Sequence, residues 1–376
     1  MKLDTYKFGI ELKALGFDFY SGVPCSFLNP LINYAINECE YVMSANEGDA
    51  VATSAGAFLA GRKSVVLMQN SGLTNATSPI TSLNFSFKLP VLGFVSLRGE
   101  PGISDEPQHE LMGQITEKML TLMDVKWEYL STELKEVKNQ LIRANQFIES
   151  NQTFFFVVKK GTFDSVVLNE KILNEVSNKL QINKSKEDEQ PTRLNVLESL
   201  NGIKSDDTLL LATTGKAGRE LYEVEDAPNN FYMVGSMGCI SSIGLGTALN
   251  SEKKIIAIDG DGALLMRMGN LATNAYYAPK NMIHLLIDNN IHDSTGGQFT
   301  VAGNIDFVQV ASSIGYERSI YIHSIDELRD EVLKWKENPG ITFMYIKVRE
   351  GTKDNLGRPS IAPHEVKERL MDFLQG

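Results

Sequence analysis

Gly260-Asp261-Gly262 and Asn289-Asn290 are the residues in this chain best suited to chemistry. Each group follows a short apolar run, 254–258 and 284–288, of the kind that forms a buried strand. Ligands of a parallel sheet gather at the carboxyl ends of its strands. A carboxylate and an amide oxygen are hard donors suited to Mg²⁺, which usually also takes phosphate oxygens and water. The glycines around Asp261 let backbone approach a phosphate, and the helix that follows offers it N–H groups. Gly-Asp-Gly alone is a common turn. The second run ending in an Asn pair, 28 positions on, is what makes it a candidate site. Elsewhere, Glu47 stands just past the apolar run 41–43, at the start of an Ala-rich segment. An acidic residue there also suits a helix N-terminus.

These residues need elements to hold them. In the first half the runs 41–43, 64–68, 91–95 and 154–158 read as buried strands. Helical spacing covers 49–60, 75–87 and 134–149. In the second half the strands are 208–212, 230–234, 254–258, 284–288 and 342–347. Helices are expected over 218–224, 241–250, 269–278, 307–314 and 325–335. The N-terminal 22 residues read as an amphipathic helix interrupted by charge. Fully apolar strands between helices imply parallel sheets covered on both faces. The polar stretch NKSKEDEQPT reads as a linker. The expected division is therefore residues 1–182, a linker 183–192 and residues 193–376, two α/β domains.

Composition narrows the function. The 376 residues exceed one ordinary domain, and 43% hydrophobic content is that of a globular chain. A net charge of −11 argues against nucleic acid, which needs a basic face. Three cysteines without a CxxC pair do not form a disulfide framework. No signal-peptide core or membrane-length apolar run is visible, so a cytoplasmic protein is expected.

Several stretches together resemble a known family. They are SGVPCSFLNPLIN (21–33), SANEGDAVATSAGAFLAGRK around Glu47, QNSGLTNATSPITSL (69–83), DEPQHELMG (105–113), TTGKAGRELYE (213–223), NFYMVGSMGCISSIGLG (230–246) and DNNIHDSTGGQ (288–298). The resemblance is to thiamine-diphosphate (ThDP) and Mg²⁺ dependent 2-oxo acid decarboxylases, in particular the phosphonopyruvate decarboxylases. It implies two ThDP-binding-fold domains, pyrimidine-type then diphosphate-type, each a parallel sheet flanked by helices. It implies Asp261, Asn289 and the carbonyl of Ile291 as metal ligands, with Asn290 the alternative to Asn289. His292 and Asp293 fall where many relatives have Tyr-Gly, and Asn290 and Thr74 where Gly is common.

By the same resemblance Glu47 would hydrogen-bond the cofactor's aminopyrimidine ring, and Met237 would bend the cofactor. Thr214, Gly215, Ser236, Gly260, Gly262 and Ala263 would line its site. His109 and His292, both expected in loops, are the candidate proton donors. His284 lies inside an apolar run and reads as structural. Asn70, Ser71, Arg98 and Lys216 are the candidates to hold an anionic 2-oxo acid, although Lys216 could instead serve the diphosphate. The implied reaction converts phosphonopyruvate to phosphonoacetaldehyde and CO₂, in phosphonate biosynthesis of the 2-aminoethylphosphonate type. Sulfopyruvate decarboxylation and a non-catalytic ThDP-fold subunit are the alternatives. A homodimer or larger assembly is expected, with the cofactor between subunits.

Overall fold

Apolar runs of three to seven residues become the strands of two parallel sheets in the computed structural model, which describes residues 2–169, 179–181 (backbone), 190–295 and 297–376. The chain divides into two units, Met1–Leu173 and Asn174–Gly376. Of the expected linker, residues 183–189 lie outside the described residues.

The first unit holds β1 (Phe19–Gly22), β2 (Glu40–Met43), β3 (Ser64–Gln69), β4 (Leu92–Ser96), β5 (Lys126–Tyr129) and β6 (Phe154–Val158), in the order β2-β1-β3-β4-β6-β5. Strand alternation puts Val65 and Leu67 in one hydrophobic cluster and Val66 and Met68 in another. The sheet is therefore buried on both faces, each enclosed Val, Leu or Phe contributing roughly 1.5–3 kcal/mol. The helix Glu47–Leu59 starts where Asn46 accepts a hydrogen bond from the Gly48 N–H at 2.8 Å. Ser21 Oγ of β1 donates to its Ala50 carbonyl at 2.8 Å. This fixes the helix start, and so Glu47, against the sheet.

The second unit holds β7 (Lys179–Gln181), β8 (Thr208–Ala212), β9 (Asn230–Tyr232), β10 (Lys254–Gly260), β11 (Met282–Asp288), β12 (Ile291–His292), β13 (Gln298–Phe299), β14 (Arg318–Ile322) and β15 (Thr342–Lys347). Seven of them form one parallel sheet, β7-β14-β15-β11-β10-β8-β9, and β12 and β13 make a small antiparallel pair. From β8 the chain goes outward to β9 and then back to β10 on the other side. That reversal opens a crevice between the ends of β8 and β10, where such sheets bind ligands.

Three differences from the sequence reading have local causes. The N-terminal helix stops at Ala14, and Gly16, at φ 87°, turns the chain into β1, which had been absorbed into that helix. The segment expected as one helix over 75–87 is an α-turn, Leu73–Ser78, a π segment, Pro79–Asn84, and a last turn, Phe85–Phe87. Pro79 has no N–H to continue the ladder, and the π segment follows from it. The half-exposed strand β5 and the edge-side β14 carry too few uninterrupted apolar residues to stand out. Among the described residues no helix is long and apolar enough to cross a membrane.

Candidate active site

In the second unit, segments from the ends of β8, β10 and β11 line one cavity. After β8 come Thr213, Thr214, Gly215 and Lys216. Gly215, at φ 96°, turns the chain into the helix Lys216–Val224, whose start has no side-chain cap. Its first N–H groups are available to an anion. Thr213 Oγ1 is buried there without a hydrogen-bond partner. Thr214 Oγ1 accepts from the Gly235 N–H at 3.2 Å, which ties in the Met237 loop. That loop has three left-handed residues, Gly235, Ser236 and Gly238. Ser236 at φ 45° is a strained position for a side-chain residue. A Cβ on Gly238 would stand 2.8 Å from the Ala263 carbonyl oxygen, so only glycine lets Met237 sit on the cavity wall this way.

After β10, Asp261 opens a short helix with Gly262 and Ala263 and is only 2% exposed. Burial pushes its carboxyl above the ordinary carboxylate range. The Thr300 hydroxyl, donating to its Oδ2, works against this, and the nearby Asp288 adds to it. After β11, Asn289 lines the same cavity at 7% exposure, followed by Ile291 and His292. Its Oδ1 accepts from the Ile291 N–H at 3.3 Å and its Nδ2 donates to Asp293 Oδ2 at 2.8 Å. Asn290 does not line the cavity; it takes φ 62°, and its backbone N–H donates to Asp288 Oδ1 at 2.9 Å. The His292 ring packs on Gly262, where an added Cβ would come within 2.5 Å of Cε1.

This donor set fits a hard cation and a phosphate. A buried carboxylate raised by desolvation is stabilised by a cation, and the Asn289 amide on the same cavity wall offers a second hard oxygen donor. Among the described residues no group of three His, Cys, Asp or Glu side chains makes a metal site of another type. His284 in β11 is fully buried between Asp259 and Tyr316, each 3.3 Å from a ring nitrogen, as a structural residue would be.

In the first unit, Glu47 Oε2 accepts from Asn75 Nδ2 at 2.9 Å, and its carboxylate lies directly over Gly72. Ser71 accepts from Gln69 Nε2 at 2.6 Å. Asn70 is fully buried; its Nδ2 donates to the Arg98 carbonyl at 2.8 Å and to Thr116 Oγ1 at 3.1 Å. Arg98 is gripped by Asp105, with Nε donating to Oδ2 at 2.7 Å, and it also reaches Ser26 Oγ at 3.1 Å. The Arg98 hydrogen bonds hold the Asp105 carboxyl far below the usual carboxylate range. His109 is buried, with Nδ1 unpartnered, and its carbonyl lies 2.0 Å from where a Cβ on Gly99 would stand. The turn at Gly99, φ 72°, thus sets the depth of His109.

Known proteins decide the family. The profile described as "Thiamine pyrophosphate enzyme, C-terminal TPP binding domain" matches residues 213–346. The phosphonopyruvate decarboxylase of Streptomyces viridochromogenes is 37% identical, over 96% of this chain and 93% of that protein. The chain belongs to the phosphonopyruvate decarboxylase family. A sulfopyruvate decarboxylase of Methanosarcina acetivorans is related at 27% identity, over 96% of this chain and 95% of that one. In fold it matches a crystal structure of benzoylformate decarboxylase from Polynucleobacter necessarius, with TM-score 0.72, 14% identity and coverage of 94% of this chain and 100% of that one.

As a member of this family the chain is a decarboxylase, a carboxy-lyase, and its second unit carries the thiamine-diphosphate-binding domain. Thr214, Gly215, Lys216, Met237, Gly260, Asp261, Gly262, Ala263, Asn289, Ile291 and His292 are all brought to one cavity; Ser236 stands beside it. Glu47, Asn70, Ser71, Arg98 and His109 belong to the first unit. Sequence reasoning missed the groups that act on these residues: Gly72 and Asn75 on Glu47, Asp105 on Arg98, Thr300 on Asp261, and Arg193 and Asp293 beside Asn289. Gly72 and Asn75 stand inside QNSGLTNATSPITSL, Asp105 inside DEPQHELMG and Asp293 inside DNNIHDSTGGQ, where their types could have been noticed; Arg193 and Thr300 lie in none of these stretches.

Proposed function

We propose that the chain decarboxylates 3-phosphonopyruvate to phosphonoacetaldehyde and CO₂, with ThDP and Mg²⁺. The observation that carries this reading is the single cavity on which Asp261, Asn289 and the helix start at Gly215 converge, in a chain similar along nearly its whole length to phosphonopyruvate decarboxylases. Asp261, Asn289 and the Ile291 carbonyl would hold Mg²⁺; Thr214, Gly215 and the first N–H groups of Lys216–Val224 would hold the diphosphate. The first unit would act as the pyrimidine-type domain and the second, which takes in β7, as the diphosphate-type domain, paired across copies of the chain in a homodimer or larger assembly. Bound ThDP supplies the electron sink that lets the carboxylate leave as CO₂.

The chain's own residues bind, orient and move protons. Glu47, held by Asn75 and seated on Gly72, would exchange a proton with the pyrimidine ring. Met237, on its left-handed loop, would shape the cavity wall against the cofactor. His292 would hand the proton that replaces CO₂ to the product carbon, with His109 the second candidate. Asn70 and Ser71 would orient the 2-oxo acid. Lys216 is the cation best placed to meet either the phosphonate or the diphosphate, because the Arg98 guanidinium is already committed to Asp105. The product aldehyde would feed phosphonate biosynthesis in the cytoplasm.

The related sulfopyruvate decarboxylase supports a second substrate reading. Purified protein with ThDP and Mg²⁺, assayed for CO₂ release, separates them. The larger kcat/KM is expected with phosphonopyruvate. Faster turnover of sulfopyruvate overturns the substrate assignment, and no release from any 2-oxo acid favours a non-catalytic subunit.

A further inference from the structure

We propose that Arg193 and Asp293 act as a positioning pair for Asn289, turning its amide oxygen toward the cation site; the inference rests on the reading of Asn289 as a metal ligand. Asp293 Oδ2 accepts from Asn289 Nδ2 at 2.8 Å. An ionised carboxylate only accepts hydrogen bonds, so the amide must present its NH₂ group to Asp293. The oxygen then faces the other way, beside the Ile291 N–H. The Ile291 N–H favours the same orientation at the longer distance of 3.3 Å, and Asp293 adds the shorter, charge-assisted contact at 2.8 Å.

Asp293 is in turn held by Arg193, whose Nη1 donates to the same Oδ2 at 2.8 Å. Three further donors of that guanidinium go to Glu220, from Nε at 2.7 Å and Nη2 at 3.0 Å, and to Thr352 Oγ1, from Nη2 at 2.6 Å. Asp293 Oδ2 therefore has two donors, one fixing its place and one fixing the amide. The arrangement also keeps a carboxylate four residues from Asn289 from turning onto the cation itself. Two features show that the pair is not incidental surface charge. The side chains of Arg193, Glu220 and Asp293 are 9%, 1% and 12% exposed, and burying such charges is costly unless each is matched. Arg193 also occupies the first position of the helix Arg193–Ile203, where the helix dipole disfavours a cation. It lies outside the matched TPP-binding stretch, yet it lines the cavity.

The test is calorimetric titration of Mg²⁺ into the full-length protein with ThDP in excess, with Tm measured in parallel. Loss of a group that orients a ligand typically weakens metal binding 10–100-fold. Asp293→Ala should raise the Mg²⁺ Kd by that factor. Asp293→Asn keeps an acceptor for Asn289 and should lose less, and Arg193→Lys, which keeps the charge without the fork, should fall between wild type and Asp293→Ala. If all three stay within about twofold of wild type while Asn289→Ala has lost Mg²⁺ binding, the positioning role is refuted and the site reading survives. If Arg193→Lys weakens ThDP at saturating Mg²⁺ without moving the Mg²⁺ Kd, Arg193 serves the diphosphate and the inference is overturned. If Asn289→Ala binds Mg²⁺ like wild type, the site reading falls and takes the inference with it.

Discussion

Gly72→Ala should silence the enzyme while leaving it folded. Gly72 has φ −71° and ψ −16°, a conformation open to alanine, so the backbone offers no objection. The obstacle is the added methyl group. It would stand 2.2 Å from Glu47 Oε1, 2.3 Å from Cδ and 2.4 Å from Cγ. Normal contact begins near 3.5 Å, so the carboxylate must retreat by roughly 1 Å. All three atoms belong to one flexible side chain, so Glu47 yields and the fold does not. The 2.9 Å bond from Asn75 is strained or lost in the process. A displacement of that size at a group that must meet a reacting atom costs about 10²-fold in rate, equivalent to about 2.7 kcal/mol of barrier. Stability should hardly move, because Gly→Ala at a compatible position gains about 0.4–1 kcal/mol through the unfolded chain. The assay is kcat for CO₂ release at saturating ThDP and Mg²⁺, with Tm measured on the same preparation. Wild-type kcat at unchanged Tm would show that the seat of Glu47 does not matter. A rate loss accompanied by a large fall in Tm would show that the damage is global and the local reasoning wrong.

Glu47→Gln keeps an acceptor for Asn75, so folding and ThDP binding should persist while turnover falls about 10²–10⁴-fold, the range for a lost proton-transfer group; undiminished turnover removes Glu47 from the chemistry. Asn290→Gly should be tolerated in both Tm and activity, because φ 62° suits glycine; a severe loss of Mg²⁺-dependent ThDP binding in Asn290→Gly, with Asn289→Ala unaffected, would reverse the choice of ligand. Asp105→Asn tests the Arg98 pair by pH. The folded pKa of Asp105 is depressed, chiefly by hydrogen bonds from Arg98, so its stabilisation is fully present above the unfolded carboxylate range. It is lost progressively as pH falls below about 4. The Tm gap between wild type and Asp105→Asn should therefore be constant from about pH 5 to 8 and shrink below about 4; a gap that widens in acid would contradict the pairing.

What the sequence revealed and what it hid follow one physical division. Strands buried on both faces need uninterrupted apolar residues, so Phe154–Val158, Thr208–Ala212 and Thr342–Lys347 are legible to the residue. The diphosphate-type site is legible for a related reason. Its groups occupy the first few positions after β8, β10 and β11, so finding the strands nearly finds the site. Register did the rest: β10 and β11 pair from Ile255 with Met282 through Gly260 with Ile287, which brings Asp261 and Asn289 to one end of the sheet. The left-handed conformation at Asn290 was also within reach, since a residue standing where relatives have glycine must adopt glycine's geometry or move the loop.

Side-chain pairing was hidden, because nothing local encodes it. Arg98 looked like a cation waiting for a phosphonate, yet the turn at Gly99 brings Asp105 back onto it. The cation and the acid were both visible; their mutual neutralisation was not. Arg193 is a harder case, since 100 positions separate it from Asp293, and its helix-start position gave no reason to suspect an inward-facing charge. This has a consequence for inferring specificity in such enzymes. A charged residue in a conserved-looking motif says that charge is needed near the site, but not whether it is spent on the ligand or on another side chain. Here Arg98 and Arg193 are both spent on carboxylates of the protein, which leaves Lys216, on the cavity wall and with no carboxylate partner among the described ion pairs, as the cation whose removal should act on substrate or cofactor binding directly. Lys216→Met should therefore raise KM for the 2-oxo acid or Kd for ThDP without lowering Tm. A fall in Tm with both constants unchanged would mean that this lysine, too, serves the fold.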